Sequence, residues 1–426
     1  MHPVVRLFGI AVVFVFACMG WMILGGITKD RSSMQQYALT GSVTDLWGSA
    51  QTQAAPTLTF AWDTSRVVTQ QVKVNGKEQT TTEIVWDHHE KPISPASTDI
   101  DVDLRLDMRR KGLVWYPLYD VDFAGAWTYT NNDAVDGEVL ITFAFPNSDG
   151  IYDDFSLIVN GEDRASQLVP AGGRVSTTVP VRAGETMSLR TTYGSRGMTS
   201  WNYQPATGVT NLDDFSVAMS TDFADIDFPN QTMSPSSKEQ TESGWNLRWD
   251  FAQVVTGSGV GMVMPERIQP GELAADLAFS APVSLLFFFL VIFVLSVMRG
   301  IEIHPINYLF IAGAFFAFHL LFAYSVDHLA VEVAFALCSA VSVFLVVSYL
   351  RLVVSNRFAF VEAGAAQLIY LVGFSLAHFW DGYTGLTVTV LSITTLFLLM
   401  QLTGRIRWSE AMSRKSLEPE ASPAAS

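Results

Sequence analysis

The chain is poor in cysteine: only Cys18 and Cys338 occur among 426 residues, and both lie in apolar stretches. No disulfide can staple its polar part, which must be held by its own core. The compact catalytic signatures are missing too: no H-E-x-x-H, no G-x-S-x-G, no phosphate-cradling glycine loop ahead of a helix and no C-x-x-C. Basic residues are scarce, 26 Lys and Arg against 41 Asp and Glu, for a net charge of −15. Such a balance argues against nucleic acid and anionic headgroups as partners of the polar part.

What is present is a segregated apolar pattern. Six long apolar runs read as Leu7 to Ile27, Phe279 to Met298, Ile306 to Val326, Leu329 to Leu350, Phe358 to Phe379 and Thr384 to Thr403. At 1.5 Å rise per residue each can cross a hydrocarbon core of about 30 Å, and amides in lipid must be satisfied within the segment, so these runs are predicted to be transmembrane helices. Basic residues near span ends set the orientation. Arg6, Arg299, Arg351, Arg357, Arg405, Arg407, Arg414 and Lys415 fall on one side, while the opposite turns hold Asp327, His328 and Asp381. This pattern places both termini in the cytoplasm and the long polar segment outside. Lys29 and Arg31 fall on the opposite side, at the start of that long segment, where the charge rule is weak. The first run exceeds the usual signal-peptide core and is read as an uncleaved anchor; Val15-Phe16-Ala17-Cys18 is a poor lipoprotein box.

The chain thus divides into an anchor (1–28), an exterior region (29–276), a five-span bundle (277–408) and a disordered tail (409–426). The exterior region carries the whole net charge, with 18 Lys and Arg against 33 Asp and Glu. It reads as β-rich. Val67 to Val74 and Thr80 to Trp86 flank Asn75-Gly76, a pair suited to a tight hairpin turn. Further strands are predicted at Leu113 to Val121, Ala126 to Thr130, Val139 to Phe145, Phe155 to Val159, Val175 to Val181, Thr186 to Tyr193, Phe215 to Ser220 and Trp245 to Val255. Strands at this spacing predict an antiparallel sandwich, one or two of them. Residues 29–56 show little pattern and read as a helix or a linker, and Pro229 to Glu242 reads as a polar loop.

Several of these residues carry a resemblance. His304-Pro305-Ile306-Asn307-Tyr308 running on to Asp327-His328, and Trp380-Asp381-Gly382-Tyr383 running through Met400 to Arg405 and Trp408, are similar to H-P-x-Q-Y…S-E-H and E-D-Y…M-x-x-T-R…D-W of the CreD family. In the exterior region Arg110-Lys111-Gly112-Leu113, Pro117-Leu118-Tyr119, Gly125, Ser148-Asp149-Gly150-Ile151, Asn160-Gly161, Gly194-Ser195, Pro205, Ser243-Gly244-Trp245 and Trp249 follow the family's order. The chain resembles this family of bacterial inner-membrane proteins from Met108 onward. The resemblance implies a role in cell-envelope integrity and supplies no reaction. Residues 30–100 show little of the family's opening; Asp222-Phe223-Ala224-Asp225 with Phe228-Pro229 replaces a W-x-x-P-S-F segment, and His319 stands where the family has Tyr. The chain therefore reads as a divergent member.

The chemistry must be sought in the residues themselves, and none is assigned as catalytic, cofactor-binding or metal-ligating. Asp87-His88-His89-Glu90 are metal-ligand types, but consecutive strand residues face opposite ways, so the cluster reads as a surface turn. Asp99, Asp101 and Asp103 would share one solvated strand face rather than form a calcium cage. His319, mid-span, is either a polar relay or a histidine bonded to a neighbouring Ser, Thr or Tyr. Glu302, Asp327, Glu332, Glu362 and Asp381 read as interfacial caps, and His378 with Trp380 as part of an aromatic belt. Thr387, Thr389, Ser392, Thr394 and Thr395 read as helix-packing hydroxyls.

Three functions stay open. The first is a non-enzymatic envelope protein whose β-region contacts an unidentified periplasmic or membrane partner, with Trp115, Tyr116, Trp127, Tyr129, Trp201 and Tyr203 as recognition groups if they are not core. The second is a transporter or export accessory working through His319. The third is an exterior hydrolase using two of the many carboxylates.

Overall fold

The computed structural model describes residues 3–74, 77–112, 114–380 and 382–404. The predicted Asn75-Gly76 turn, Leu113, Asp381, the basic residues from Arg405 onward, Trp408 and the tail lie outside these residues. The chain forms two compact units, one helical and one β-rich, the latter comprising Leu39–Lys111 and Trp115–Arg267.

Among the described residues six helices are long and apolar enough to cross a membrane: α1 (Pro3–Trp47), α2 (Pro270–Arg299), α3 (Pro305–Ser325), α4 (Val331–Val353), a fifth span (Phe358–Phe379) and a sixth (Thr384–Thr403). Their lengths match the requirement that every amide in lipid bond within its own helix. Two extend well beyond the predicted runs. Helix α1 continues through polar residues to Trp47, and α2 begins at Pro270, ahead of the first apolar residue of its run. Helical hydrogen bonding carries on where hydropathy stops, so the 29–56 segment is mostly helix. The fifth span is not a regular α-helix, because Phe358–Ala363 and Leu368–Gly373 are wound as π-turns around a single α-turn.

The motif His304 to Tyr308 has a local structural explanation. The His304 Nδ1 accepts the amide of Ile306 at 3.3 Å, and Pro305 takes the first helical position, where no amide proton is needed. Asn307 Oδ1 accepts the Tyr349 hydroxyl at 2.9 Å, which ties α3 to α4. The Tyr308 ring is buried edge-on to Phe289 of α2, with centroids 5.1 Å apart. Gly9 admits the close approach of α1, since a Cβ there would stand 2.9 Å from Pro305. The charge on the unexpected side is also engaged. Arg31 donates to the Ala323 carbonyl at 2.7 Å and pairs with Asp327 at 3.2 Å.

The described residues of the β-rich unit form fifteen strands: β1 (Gln51–Ala54), β2 (Thr57–Val74), β3 (Lys77–Ile93), β4 (Ser97–Lys111), β5 (Val114–Thr130), β6 (Gly137–Ala144), β7 (Tyr152–Val159), β8 (Glu162–Asp163), β9 (Arg174–Val181), β10 (Thr186–Met198), β11 (Ser200–Gln204), β12 (Thr210–Thr221), β13 (Ser237–Gln240), β14 (Trp245–Thr256) and β15 (Val260–Val263). They form sheets ordered β13-β14-β12-β4-β5-β10-β7-β8, β3-β2-β6-β9 and β1-β11-β15. Most described ladders are antiparallel; β1 with β11 and β4 with β12 run parallel, which departs from the all-antiparallel prediction. Side-chain alternation reports a buried face, not the direction of the neighbouring strand.

All three sheets contribute to one apolar cluster, including Phe60, Ile141 and Phe143 of the second sheet, Phe123, Trp127, Tyr193 and Trp249 of the first, and Trp201 and Met262 of the third. Of the six aromatics considered for recognition, Tyr116, Trp127, Tyr129, Trp201 and Tyr203 are buried, while Trp115 lies beneath the Arg267 guanidinium. They are structural rather than a binding face. Several polar ends of the core's buried aromatics find partners: Trp127 Nε1 donates to the Tyr203 hydroxyl at 3.2 Å, Tyr119 to the Ser200 carbonyl at 2.8 Å and Tyr193 to Gln53 Oε1 at 2.8 Å. Gly244, in the Ser243-Gly244-Trp245 motif, packs so tightly that a Cβ would collide with the Thr221 carbonyl.

Two predictions follow from this core. Trp249 is fully buried and donates to the Met233 carbonyl at 2.8 Å, so Trp249→Ala should lower stability by about 3–5 kcal/mol, read from denaturant melts of the β-unit signal. Burial also raises the hydroxyl pKa of Tyr119, Tyr193 and Tyr203, and pushes that of Tyr152 up to about 12. Folding therefore favours their protonated form. The stability they contribute is complete below the unfolded value of 10.0; Tyr152's share is lost as pH climbs towards about 12, and the other three give theirs up at still higher pH. Near-ultraviolet circular dichroism and tyrosinate absorbance should change together in that window; full tyrosine ionisation with an intact dichroism spectrum would contradict it.

Candidate functional site

Strands β2 and β3 are far longer than the predicted runs, and their outer halves form a ribbon. Strand β6 covers β2 only along Thr57–Ala61. From the Trp62–His89 pair to the Val74–Lys77 pair, β2 and β3 bond to each other, and β3 is the edge of its sheet. At ~3.4 Å per residue this ladder extends about 40 Å. A two-stranded hairpin without a covering layer is marginal in water.

The ribbon's two faces differ. Val67 lies opposite Ile84, and Trp86 opposite Ser65, which places all three apolar side chains on one face by the period of two. They are 67%, 61% and 68% exposed. On the other face Arg66 pairs with Asp87 at 2.9 Å, the Thr64 hydroxyl meets His89 Nε2 at 2.8 Å, and the His89 ring stacks on Trp62 with centroids 5.3 Å apart. His88 Nδ1 meets Asp63 at 2.7 Å on the apolar-bearing face. The Asp87-His88-His89-Glu90 segment is therefore strand rather than the predicted turn. Alternation divides it between two faces, and three of its residues have their own cross-strand partner. Among the described residues no three His, Cys, Asp or Glu side chains converge on one point. Trp86 had been read only as the end of a strand; a Trp in a β-branched run beside a tight turn was the available signal.

A second concavity, of about 670 Å³, lies on the solvent face of the large sheet and is lined by Asp101, Asp103, Asp122, Asp154, Glu239 and Arg248, among others. Asp99, Asp101 and Asp103 alternate with the buried Ile100, Val102 and Leu104 along β4. Asp103 accepts from Arg105 and from the Ser220 hydroxyl, both at 2.6 Å, and Arg105 reaches Asp122 at 2.6 Å. Asp122 first, and Asp103 second, raise the Arg105 pKa against the opposing effect of burial. These carboxylates are thus held by an arginine.

In the helical unit His319 is buried, but its partner is not on a neighbouring span. Its Nδ1 meets the Phe315 carbonyl of its own helix at 3.1 Å, and its ring lies edge-on to Trp21 of α1 at 5.6 Å. The sequence reading missed Gln367, which is fully buried in the α-turn of the fifth span. Its Nε2 donates to Ser342 at 2.9 Å, and Ser342 donates to the Ala314 carbonyl at 2.8 Å. Ser284 donates to the Tyr370 carbonyl. Thr395 gives its proton to Leu391 O at 2.7 Å, so the Tyr370 hydroxyl is the donor in the 2.9 Å Tyr370–Thr395 contact. Thr389 and Ser392 likewise bond carbonyls of their own helix. The hydroxyls of the sixth span are therefore mostly self-satisfied; among the described residues Thr395 bonds Tyr370 and Thr384 donates to the Ala377 carbonyl at 3.1 Å, both on the fifth span. Among the predicted interfacial caps, Asp327 is paired with Arg31 and Glu362 with Arg299.

No curated protein matches the chain. Among solved structures, a crystal structure of a candidate nutrient binding protein from Legionella pneumophila aligns over 46% of this chain and 77% of its own, at 11% identity and a TM-score of 0.27. A family match covers far more. Residues 2–270 and 280–409 match the family described as inner membrane protein CreD, and the chain belongs to that family.

Proposed function

We propose that the protein is a non-enzymatic component of the inner membrane that supports envelope integrity by presenting its β-rich region to a protein partner outside the cytoplasm. The observation that carries this reading is the β2–β3 ribbon, whose exposed Val67, Ile84 and Trp86 form an apolar strip on a two-stranded element with an open edge. Exposed apolar strips and unpaired strand edges are the surfaces by which extended partners add to sheets. The exterior placement rests on the basic residues beside the spans. Arg6, Arg299, Arg351 and Arg357 mark the cytoplasmic ends, and Arg31, the exception, is paired with Asp327.

A relay through the bundle gains less. His319 is bonded to its own helix, and Gln367 to Ser342, so both behave as packing elements. The hydrolase reading also gains less, since Asp103 and Asp122 of the acidic groove share Arg105.

The test is complementation of a deletion strain challenged with cell-wall antibiotics and detergent. Wild type and His319→Phe should rescue. The triple variant Val67→Thr, Ile84→Thr, Trp86→Thr, matched for abundance and melting temperature, should fail. Rescue by the triple variant would remove the ribbon from the account, and failure of His319→Phe alone would shift the function into the bundle.

A further inference from the structure

A groove of about 560 Å³ runs between α4 and the fifth span. One wall is the stripe Ala340, Phe344, Val347 and Arg351, and the other is Phe360, Gly364 and Leu368, with Ala365 beside it. Positions three and four apart share a helix face, so each wall is a continuous ridge along its helix. The groove exists because Ala340, Gly364 and Ala365 carry almost no side chain there. From Ala340 to Arg351 it runs roughly 17 Å at 1.5 Å per residue, close to the ~15 Å depth of one leaflet of hydrocarbon.

Its chemistry changes along its length. The body is apolar, and no Asp or Glu lines it. Arg351 lies in the last turn of α4 and is exposed, and among the described residues it has no hydrogen bond or ion pair. Arg357, at the start of the fifth span, is also exposed and has no hydrogen bond or ion pair among the described residues. The nearby acid Glu362 is neutralised by Arg299. An apolar slot one leaflet deep, closed by unneutralised guanidinium groups, complements one class of molecule: a lipid tail bearing a negative headgroup.

We propose that this groove is a binding site for an anionic phospholipid, with one acyl chain between α4 and the fifth span and the phosphate on Arg351. Zwitterionic lipids would share the slot but not the net charge that Arg351 selects. The test is native mass spectrometry of the full-length, delipidated protein in mild detergent, titrated in turn with phosphatidylglycerol and with phosphatidylcholine of the same chain length. Wild type should retain phosphatidylglycerol over phosphatidylcholine by roughly fivefold. Arg351→Gln should bring the two to parity, and Arg351→Lys should keep most of the preference. Ala365→Phe, which fills the slot from an exposed position, should lower retention of both lipids without altering the melting temperature. Parity in the wild type, an unchanged preference in Arg351→Gln, or full retention in a stably folded Ala365→Phe would each overturn the site.

Discussion

A backbone amide away from water must find its partner in the chain, and this constraint organises both units. In the helical unit it forces every long apolar run into a helix and makes polar side chains bond inward. His319 turns to the carbonyl one turn back, Thr389 and Ser392 do the same, and Gln367 hands its proton to Ser342. In the β-rich unit the same requirement is met by ladders, and Tyr119, Trp127, Tyr203 and Trp249 in the core are tied to carbonyls or to each other. The ribbon is where the constraint relaxes, because its open edge faces solvent. A surface that water can satisfy is also one that another chain can satisfy.

The two units also differ in how they hold their polar groups. The acidic groove of the large sheet has the volume of a ligand site, yet two of its carboxylates, Asp103 and Asp122, share Arg105 and its floor is the outer side of the core strands. The bundle has polar groups at depth, but each described bond joins two helices or closes on its own. Polar atoms in the bundle therefore act as fasteners, and the distinctive surfaces are an apolar ribbon face and an apolar slot with a cationic mouth. Both suit association better than turnover.

The apolar runs were legible because hydropathy and helix formation in lipid have one cause. Other elements were not, since their cause is a distant residue. The helix from Ile27 to Trp47 holds Lys29, Asp30 and Arg31, so composition left helix and linker both open, and Arg31 finds its carboxylate some 296 positions later. Strand β1 is four residues whose buried Gln51 and Gln53 read as polar linker until paired with Trp201 and Tyr203. The hairpin was legible only from Val67 to Trp86, and the tetrad at Asp87 reads as a surface turn because consecutive strand residues cannot converge on one ion. Both extend because each finds a cross-strand mate, which a single strand's sequence does not reveal. His319 drew attention by being ionisable; Gln367, equally buried, did not.

The Arg31–Asp327 pair has a consequence in time. The two residues are 296 positions apart. At ~5–20 residues per second of synthesis, α1 would wait roughly 15–60 s for the helix that carries its counter-ion. Throughout that interval Gly9, Trp21 and Arg31 face lipid or water instead of Pro305, Phe316 and Asp327. The first helix must therefore be able to stand alone in the bilayer for as long as the polar region takes to emerge and fold. Its unbroken apolar face, largely unburied even in the finished bundle, gives it that independence.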